Sequence, residues 1–150
     1  MLDHPFTAEE FKAIYSRVPR LCVDLIVRTP QGVVLTLRSL PTWMGMWHTP
    51  GGTVLYKEPI PKAAEHIALQ ELGVEVTILK NLGYMEFPSE ERERGFGWSV
   101  SIGLLCEIAS GKLLEKTAEA SAIRAFTELP ENTLAEHKTF LTEHWKEILG

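Results

Sequence analysis

Cysteine is scarce in this sequence: Cys22 and Cys106 are the only two in 150 residues. Neither has partners at the spacing of a zinc site, and both lie in apolar runs, so they read as buried free thiols in a reducing compartment. Positive charge is not in excess either. Fifteen Lys and Arg stand against 20 Asp and Glu, a net charge of −5, which argues against a general nucleic-acid binder but leaves room for a nucleotide in a local basic pocket. No stretch approaches the ~20 consecutive apolar residues that a membrane span needs. The start carries Asp3 and His4 rather than a basic segment followed by an apolar run, unlike a signal peptide. A cytoplasmic location, without membrane or nucleic-acid partners, is the expectation. Repeats, low-complexity tracts and linkers are also missing, which predicts one domain over residues 1–150, long enough to bury a proper core.

The chain is organised around residues 47–74, from Trp47-His-Thr-Pro-Gly-Gly52 to Gly73-Val74. Locally this is a strand end, a Pro-Gly-Gly turn, a short loop and a helix that stops at a glycine. Pro50 fixes φ, and Gly51 and Gly52 allow backbone angles that a side chain would forbid. Pro59 and Pro61 suit a helix's first turn, Ala63 to Leu72 are mostly strong helix formers, and Gly73 supplies the left-handed residue past the end. Ile67, Gln70 and Glu71 share one face of that helix. Glu71 sits in the last turn, where the negative end of the dipole disfavours a carboxylate, and such a local conflict hints at function.

Around this stretch, Thr7-Ala-Glu-Glu10 reads as a capping box opening a short helix that Pro19 ends. Leu21 to Arg28 reads as a central strand by its apolar run, Thr29 to Gly32 as a turn, and Val33 to Arg38 as the partner strand. Residues 74–79, 83–87, 98–108 and 122–126 read as further strands. Pro88 to Gly97 reads as a polar loop in which Arg92 and Arg94 lie among glutamates, a solvated loop rather than a phosphate clamp. Leu134, His137, Leu141, Trp145 and Ile148 recur at helical spacing and predict a C-terminal amphipathic helix. Strands and helices in this order predict an α+β fold, an α/β/α sandwich with a mixed sheet between helical layers.

The central stretch resembles a Nudix box: glycine, five residues, glutamate, seven residues, then a helix rich in glutamate closed by glycine and an apolar residue. Gly52, Glu58, Glu71, Gly73 and Val74 match that pattern. His66 stands at its arginine, Ile67 at its first helical glutamate and Gln70 at the first of its paired glutamates. The resemblance extends over most of the chain and is nearest to the GDP-mannose mannosyl hydrolase branch of the Nudix hydrolase superfamily. It implies an α/β/α fold and hydrolysis of a nucleoside diphosphate linked to another moiety, such as a nucleotide sugar, assisted by Mg²⁺ (or Mn²⁺). It implies Glu71 and the Gly51 carbonyl as metal ligands, Asp24 at the branch's strand aspartate, and Arg38 at an arginine that assists departure of the diphosphate. Thr53 and His66 stand where that branch has arginines. Ala120 and Ser121 align with its glutamine metal ligand and its histidine base.

The residues themselves leave choices open. Glu71 can bind metal or meet solvent at a helix end. Asp24, a carboxylate in an apolar strand, must be paired or functional, with Arg38 as partner for it or for a phosphate. Trp43 and Trp47 read as loop and core anchors, with stacking on a base or sugar as the other use. His48, just before the glycines, joins Asp24, Arg38 and Trp47 as a candidate substrate contact, and Glu71, Arg38 and Asp24 are the catalytic candidates. A nucleotide-type small molecule is the expected partner. A Nudix-fold binding module without turnover, or a structural protein selected for a homodimer interface, are the alternatives.

Overall fold

The structure, a computed structural model, describes residues 5–150; the Asp3-His4 start lies outside the described residues. Elements follow in the order α1 (Ala8–Tyr15), β1 (Arg20–Thr29), β2 (Gly32–Arg38), β3 (Trp47–His48), β4 (Gly51–Thr53), α2 (Ile60–Leu72), β5 (Glu75–Glu86), α3 (Ser89–Arg94), β6 (Ser99–Ser110), β7 (Ala120–Phe126) and α4 (Ala135–Leu149). The fold is α+β, a mixed sheet flanked by helices. Among the described residues, no helix is long and apolar enough to cross a membrane.

Local chemistry accounts for the helix ends. The Thr7 hydroxyl accepts from the Glu10 amide while the Glu10 carboxylate accepts from the Thr7 amide, closing the expected capping box. Pro59 caps α2, Pro61 lies in its first turn, and Gly73 ends it at φ 73°. That left-handed angle strains any residue with a Cβ.

β1 and β6 run parallel, while β1–β2, β1–β4, β2–β3, β2–β7 and β5–β6 are antiparallel. β1 is buried from Cys22 to Val27, as befits a central strand covered on both faces. On one face Val23, Leu25 and Val27 meet Ala63, Ala64, Ile67, Ala68 and Leu72 of α2. On the other, Ile26, Val33 and Leu35 meet Phe140, Leu141 and Ile148 of α4. Ile67 is packed there, as expected of an aliphatic side chain at that position.

Three local expectations change. The two strands expected at 74–79 and 83–87 merge into one, β5, whose pairing with β6 is interrupted by register shifts rather than broken. Before Pro50 the expected strand end is β3, and the glycines after it, expected as a turn, form the short strand β4. The 88–97 segment is not a solvated loop: it contains α3, with Ser89 and Glu90 buried. Glu90 meets Arg20 and Ser99, distant in sequence, as well as Arg94 of its own helix, so local polarity misleads there.

The sheet is split where it matters. β2 pairs with β1 only at Arg28↔Val33 and Thr29↔Gly32, and β4 then takes that edge at Cys22↔Thr53, Val23↔Gly52 and Asp24↔Gly51. Between the departing β2 and the arriving β4 a cleft opens.

Candidate active site

The cleft has a volume of about 360 Å³ and is lined by side chains of β1, β2, β4, α2, α3 and α4. Alternation along β1 places Arg20, Cys22 and Asp24 on one side of the strand, and all three line it.

Asp24 lies at its buried end. Oδ1 accepts from the Thr49 hydroxyl at 2.6 Å and Oδ2 from the Ser101 hydroxyl, while His137 Nε2 lies 3.2 Å from Oδ1. The Thr49 amide lies 3.3 Å from His137 Nδ1. Burial alone would raise the Asp24 carboxyl; the charge and hydrogen bond of His137 and the two hydroxyls outweigh it and hold the carboxyl below the ordinary value. A Cβ on Gly51 would come within 2.5 Å of Asp24 Oδ1, so any side chain there would force its neighbours to shift. Beside this group, His48 Nδ1 donates to the Thr49 carbonyl at 2.7 Å, leaving Nε2 as an acceptor 3.2 Å from the Thr36 hydroxyl. Burial, then the nearness of His137, lowers His48 to about 4, so its ring is neutral near pH 7.

Glu71 faces the cleft from α2. Burial, then Glu119, raises its carboxyl to about 7 against the pull of Arg38. Glu119 arrives because β7 pairs with β2 as far as Arg38↔Ala120. Arg38 sits between charges of both signs. Burial and the positive charge of Arg94 push its pKa down, while Glu119 and Glu71 push it up. Its Nε and Nη2 donate to the Thr42 carbonyl and hydroxyl, and it lies 5.6 Å from the Trp43 ring centroid. Farther along, Arg20 and Arg94 both contact the buried Glu90.

Asp24, Arg38, His48, Gly51 and Glu71 thus come to one cleft. Trp47 does not join them: it is 7% exposed in the core, edge-on to Phe126 at 4.8 Å. Trp43 lines the cleft instead, its indole donating to Ser89 Oγ. Arg20, Arg94, Glu119 and His137 were not foreseen as site residues. His137 was visible only as part of a helical stripe, and Glu119 only as a neighbour of Ala120 and Ser121.

Among the described residues, no group of three or more His, Cys, Asp or Glu side chains forms a metal cage. Two carboxylates, Glu71 and Glu119, line the cleft together with Gly51 and Gly52, and the charge of Glu119 raises the Glu71 carboxyl. A pair of hard oxygen donors fits Mg²⁺ or Mn²⁺, which takes its other positions from substrate phosphates and water.

A family model for the NUDIX domain matches residues 18–144, most of the chain. The chain belongs to the Nudix family. The Low-salt glycan biosynthesis protein Agl8 of Haloferax volcanii is 42% identical over 87 residues, covering 56% of each chain. The match therefore spans about half the length of that curated relative. A MutT NUDIX hydrolase from Burkholderia pseudomallei superposes with a TM-score of 0.74 at 19% identity, over 84% of this chain and 98% of that one. A bifunctional NMN adenylyltransferase/ADP ribose pyrophosphatase from Francisella tularensis, complexed with AMP and a Mn ion, superposes with a TM-score of 0.64 at 17% identity. That match covers 93% of this chain and 47% of the bifunctional enzyme. These two likenesses concern the fold.

The Nudix box of this chain has been rewritten in place. His66 Nδ1 lies 2.6 Å from Glu58 Oε2, and Glu58 Oε1 accepts from the Leu55 amide, tying the loop to α2. Ile67 takes the space beside Gly52, 3.4 Å from where a Cβ would stand. Thr53 accepts from Arg20 Nη1 at 2.8 Å, so a guanidinium from β1 reaches residue 53.

Proposed function

We propose that this chain hydrolyses a nucleoside diphosphate linked to a second moiety, with a nucleotide sugar as the narrowest class. The observation that carries the proposal is the meeting of Glu71, Glu119 and Arg38 in one cleft beside the Gly51-Gly52 turn. Glu71 and Glu119, with the Gly51 carbonyl, would hold a divalent ion, which supplies charge neutralisation on the phosphates and polarises the bond to be broken. Arg38, already fixed on Thr42, needs no reordering to oppose charge developing on the departing phosphate. Asp24 and His48 would meet the substrate at the buried end, Asp24 accepting hydrogen bonds and neutral His48 offering Nε2. The glycan-biosynthesis name of the Haloferax relative agrees with a sugar-bearing substrate.

The test is a screen of nucleotide sugars and other nucleoside diphosphate derivatives with Mg²⁺, with Glu71→Gln beside the unaltered protein. Turnover that the substitution abolishes supports the hydrolase, and product analysis in labelled water separates attack at phosphorus from attack at the sugar carbon. A second reading, a nucleotide-binding module without turnover, draws on one observation: Ile67, 2% exposed, fills a box position with hydrocarbon. Ligand-induced stabilisation with no turnover across the screen would select it.

A further inference from the structure

Beyond Arg38 the cleft holds a second charged group. Arg20 opens β1 and Arg94 closes α3, and Arg20 Nη2 and Arg94 Nε lie 3.1 Å and 3.2 Å from the same oxygen, Glu90 Oε2. Glu90 is 1% exposed, and its Oε1 accepts from the Ser99 hydroxyl at 2.6 Å. Both guanidiniums lie over the Phe11 ring, 5.5 Å and 5.6 Å from its centroid. The Nε atoms of both arginines are buried without an aligned hydrogen-bond partner among the described residues.

One arginine would neutralise Glu90; two leave one positive charge over. Burial, then the positive charge of Arg20, pushes the Arg94 pKa down, so the pair is held together against its own repulsion. The other end of the cleft has the opposite balance, with Arg38 against both Glu71 and Glu119. Arg38 feels the charges of both groups. An anion entering this cleft is therefore drawn toward Arg20 and Arg94, while a cation is drawn toward Glu71 and Glu119.

We propose that Arg20 and Arg94 form a clamp for phosphate oxygens, with Glu90 as the residue that positions both guanidiniums. The proposal rests on the nucleoside diphosphate reading above and adds which end of the cleft receives the phosphates. Planar guanidiniums fixed side by side on one carboxylate and one aromatic face are pre-organised for bidentate contact with a phosphate.

Inorganic pyrophosphate, titrated calorimetrically at low salt in the presence of a chelator, tests this without turnover or metal. The unaltered chain binds it, and Arg20→Gln and Arg94→Gln each weaken binding roughly tenfold. Arg92→Gln, an exposed position on the same helix, does not. Glu90→Gln deletes a negative charge yet releases both guanidiniums, and it weakens binding, whereas a cluster acting through net charge alone would bind pyrophosphate more tightly. Should either glutamine variant fail to fold, Arg20→Lys and Arg94→Lys keep the charge on Glu90, lose the planar fork and still weaken binding. Absence of pyrophosphate binding, equal loss in Arg92→Gln, unchanged binding in the arginine variants, or unchanged or tighter binding in Glu90→Gln would each overturn the clamp. A chain that binds pyrophosphate through these residues yet hydrolyses nothing in the screen sinks the hydrolase and leaves the clamp standing. Turnover indifferent to both arginine substitutions does the reverse.

Discussion

Asp24 and His137 meet at the buried end of the cleft, Oδ1 3.2 Å from Nε2, with the Thr49 hydroxyl touching both. β1 and α4 are thereby joined through charge and hydrogen bonds as well as through the apolar layer around Ile26 and Leu141. A carboxylate with this many donors is costly to neutralise. Asp24→Asn turns an all-acceptor group into one that presents an N–H to a donor, and should lower stability by about 1–3 kcal/mol, read from urea unfolding. The sign with pH follows from the depressed carboxyl. The contribution is complete above the unfolded value of roughly 4 and is lost as pH falls through the lower folded value. Acid unfolding of the unaltered chain should therefore be steeper than that of Asp24→Asn; equal slopes would refute the assignment.

Gly51 and Asp24 form a second coupled pair. A methyl group at residue 51 would sit 2.5 Å from Asp24 Oδ1, with the Val23 carbonyl at 2.9 Å, so both neighbours would have to shift. Gly51→Ala should cost about 1–3 kcal/mol as an overpacking change. In an Asp24→Ala background part of that cost should vanish, because one of the two obstacles is gone. A double-mutant cycle measures the coupling, and strictly additive effects would show that the carboxylate is not what excludes the side chain.

The layered fold was legible because its signals are local. The capping box at Thr7, the apolar run of β1, and the Pro-to-Gly span of α2 each carry their own boundary chemistry. Asp24 was legible as a lone carboxylate in an apolar strand, and Glu71 as a carboxylate at the wrong end of a helix dipole. Glu90 and Arg94 were not, because Ser89 to Arg94 alternates charges just as a solvated segment does. Glu90 is buried with bonds to Arg20 of β1 and Ser99 of β6, partners that the strand arrangement brings and the local sequence does not show. Glu119 was missed for a similar reason: its approach to Arg38 depends on the register of β7 against β2, which no local pattern encodes. Trp43 and Trp47 are alike in composition, and only the path of the 39–46 loop sends the first to the cleft and the second to the core.

Glu71 should be a stability liability in the free protein. Its folded carboxyl, raised to about 7, binds a proton more tightly than the unfolded one. Stability is therefore fullest below the unfolded value of roughly 4.3 and declines as pH rises through 7. Glu71→Gln removes the charge that burial and Glu119 disfavour. At pH 8 and without metal the variant should be more stable than the parent by about 1–3 kcal/mol, a gain that shrinks at pH 5. Thermal or urea unfolding at the two pH values measures it. A variant equally or less stable at pH 8 would mean that the carboxylate is well solvated or paired in the folded chain.

Both thiols should be silent in the folded state. Burial pushes Cys22 up to about 11 and Cys106 up to about 12, so neither carries appreciable thiolate at pH 8. Labelling with a disulfide reagent should proceed at the rate of unfolding, with both cysteines reacting fully in denaturant. A bound nucleoside diphosphate should slow the labelling of both thiols alike, since each reacts only through unfolding. Fast native labelling of either thiol would contradict the packing.

Metal and nucleotide should bind as a couple. Two carboxylates that repel each other in a desolvated cleft favour a divalent cation, yet two side chains leave most of an octahedral shell to be filled by water or phosphate oxygens. Mn²⁺ alone should therefore bind weakly, and a nucleoside diphosphate should strengthen it by about tenfold or more. Linkage requires Mn²⁺ to strengthen nucleotide binding by the same factor, so two titrations, each ligand with and without the other, check one number twice. Glu71→Gln and Glu119→Gln should each lower the coupling while leaving pyrophosphate binding in chelator intact or tighter, since removing a negative charge eases the approach of an anion. Coupling that survives both substitutions would move the cation away from this pair of carboxylates.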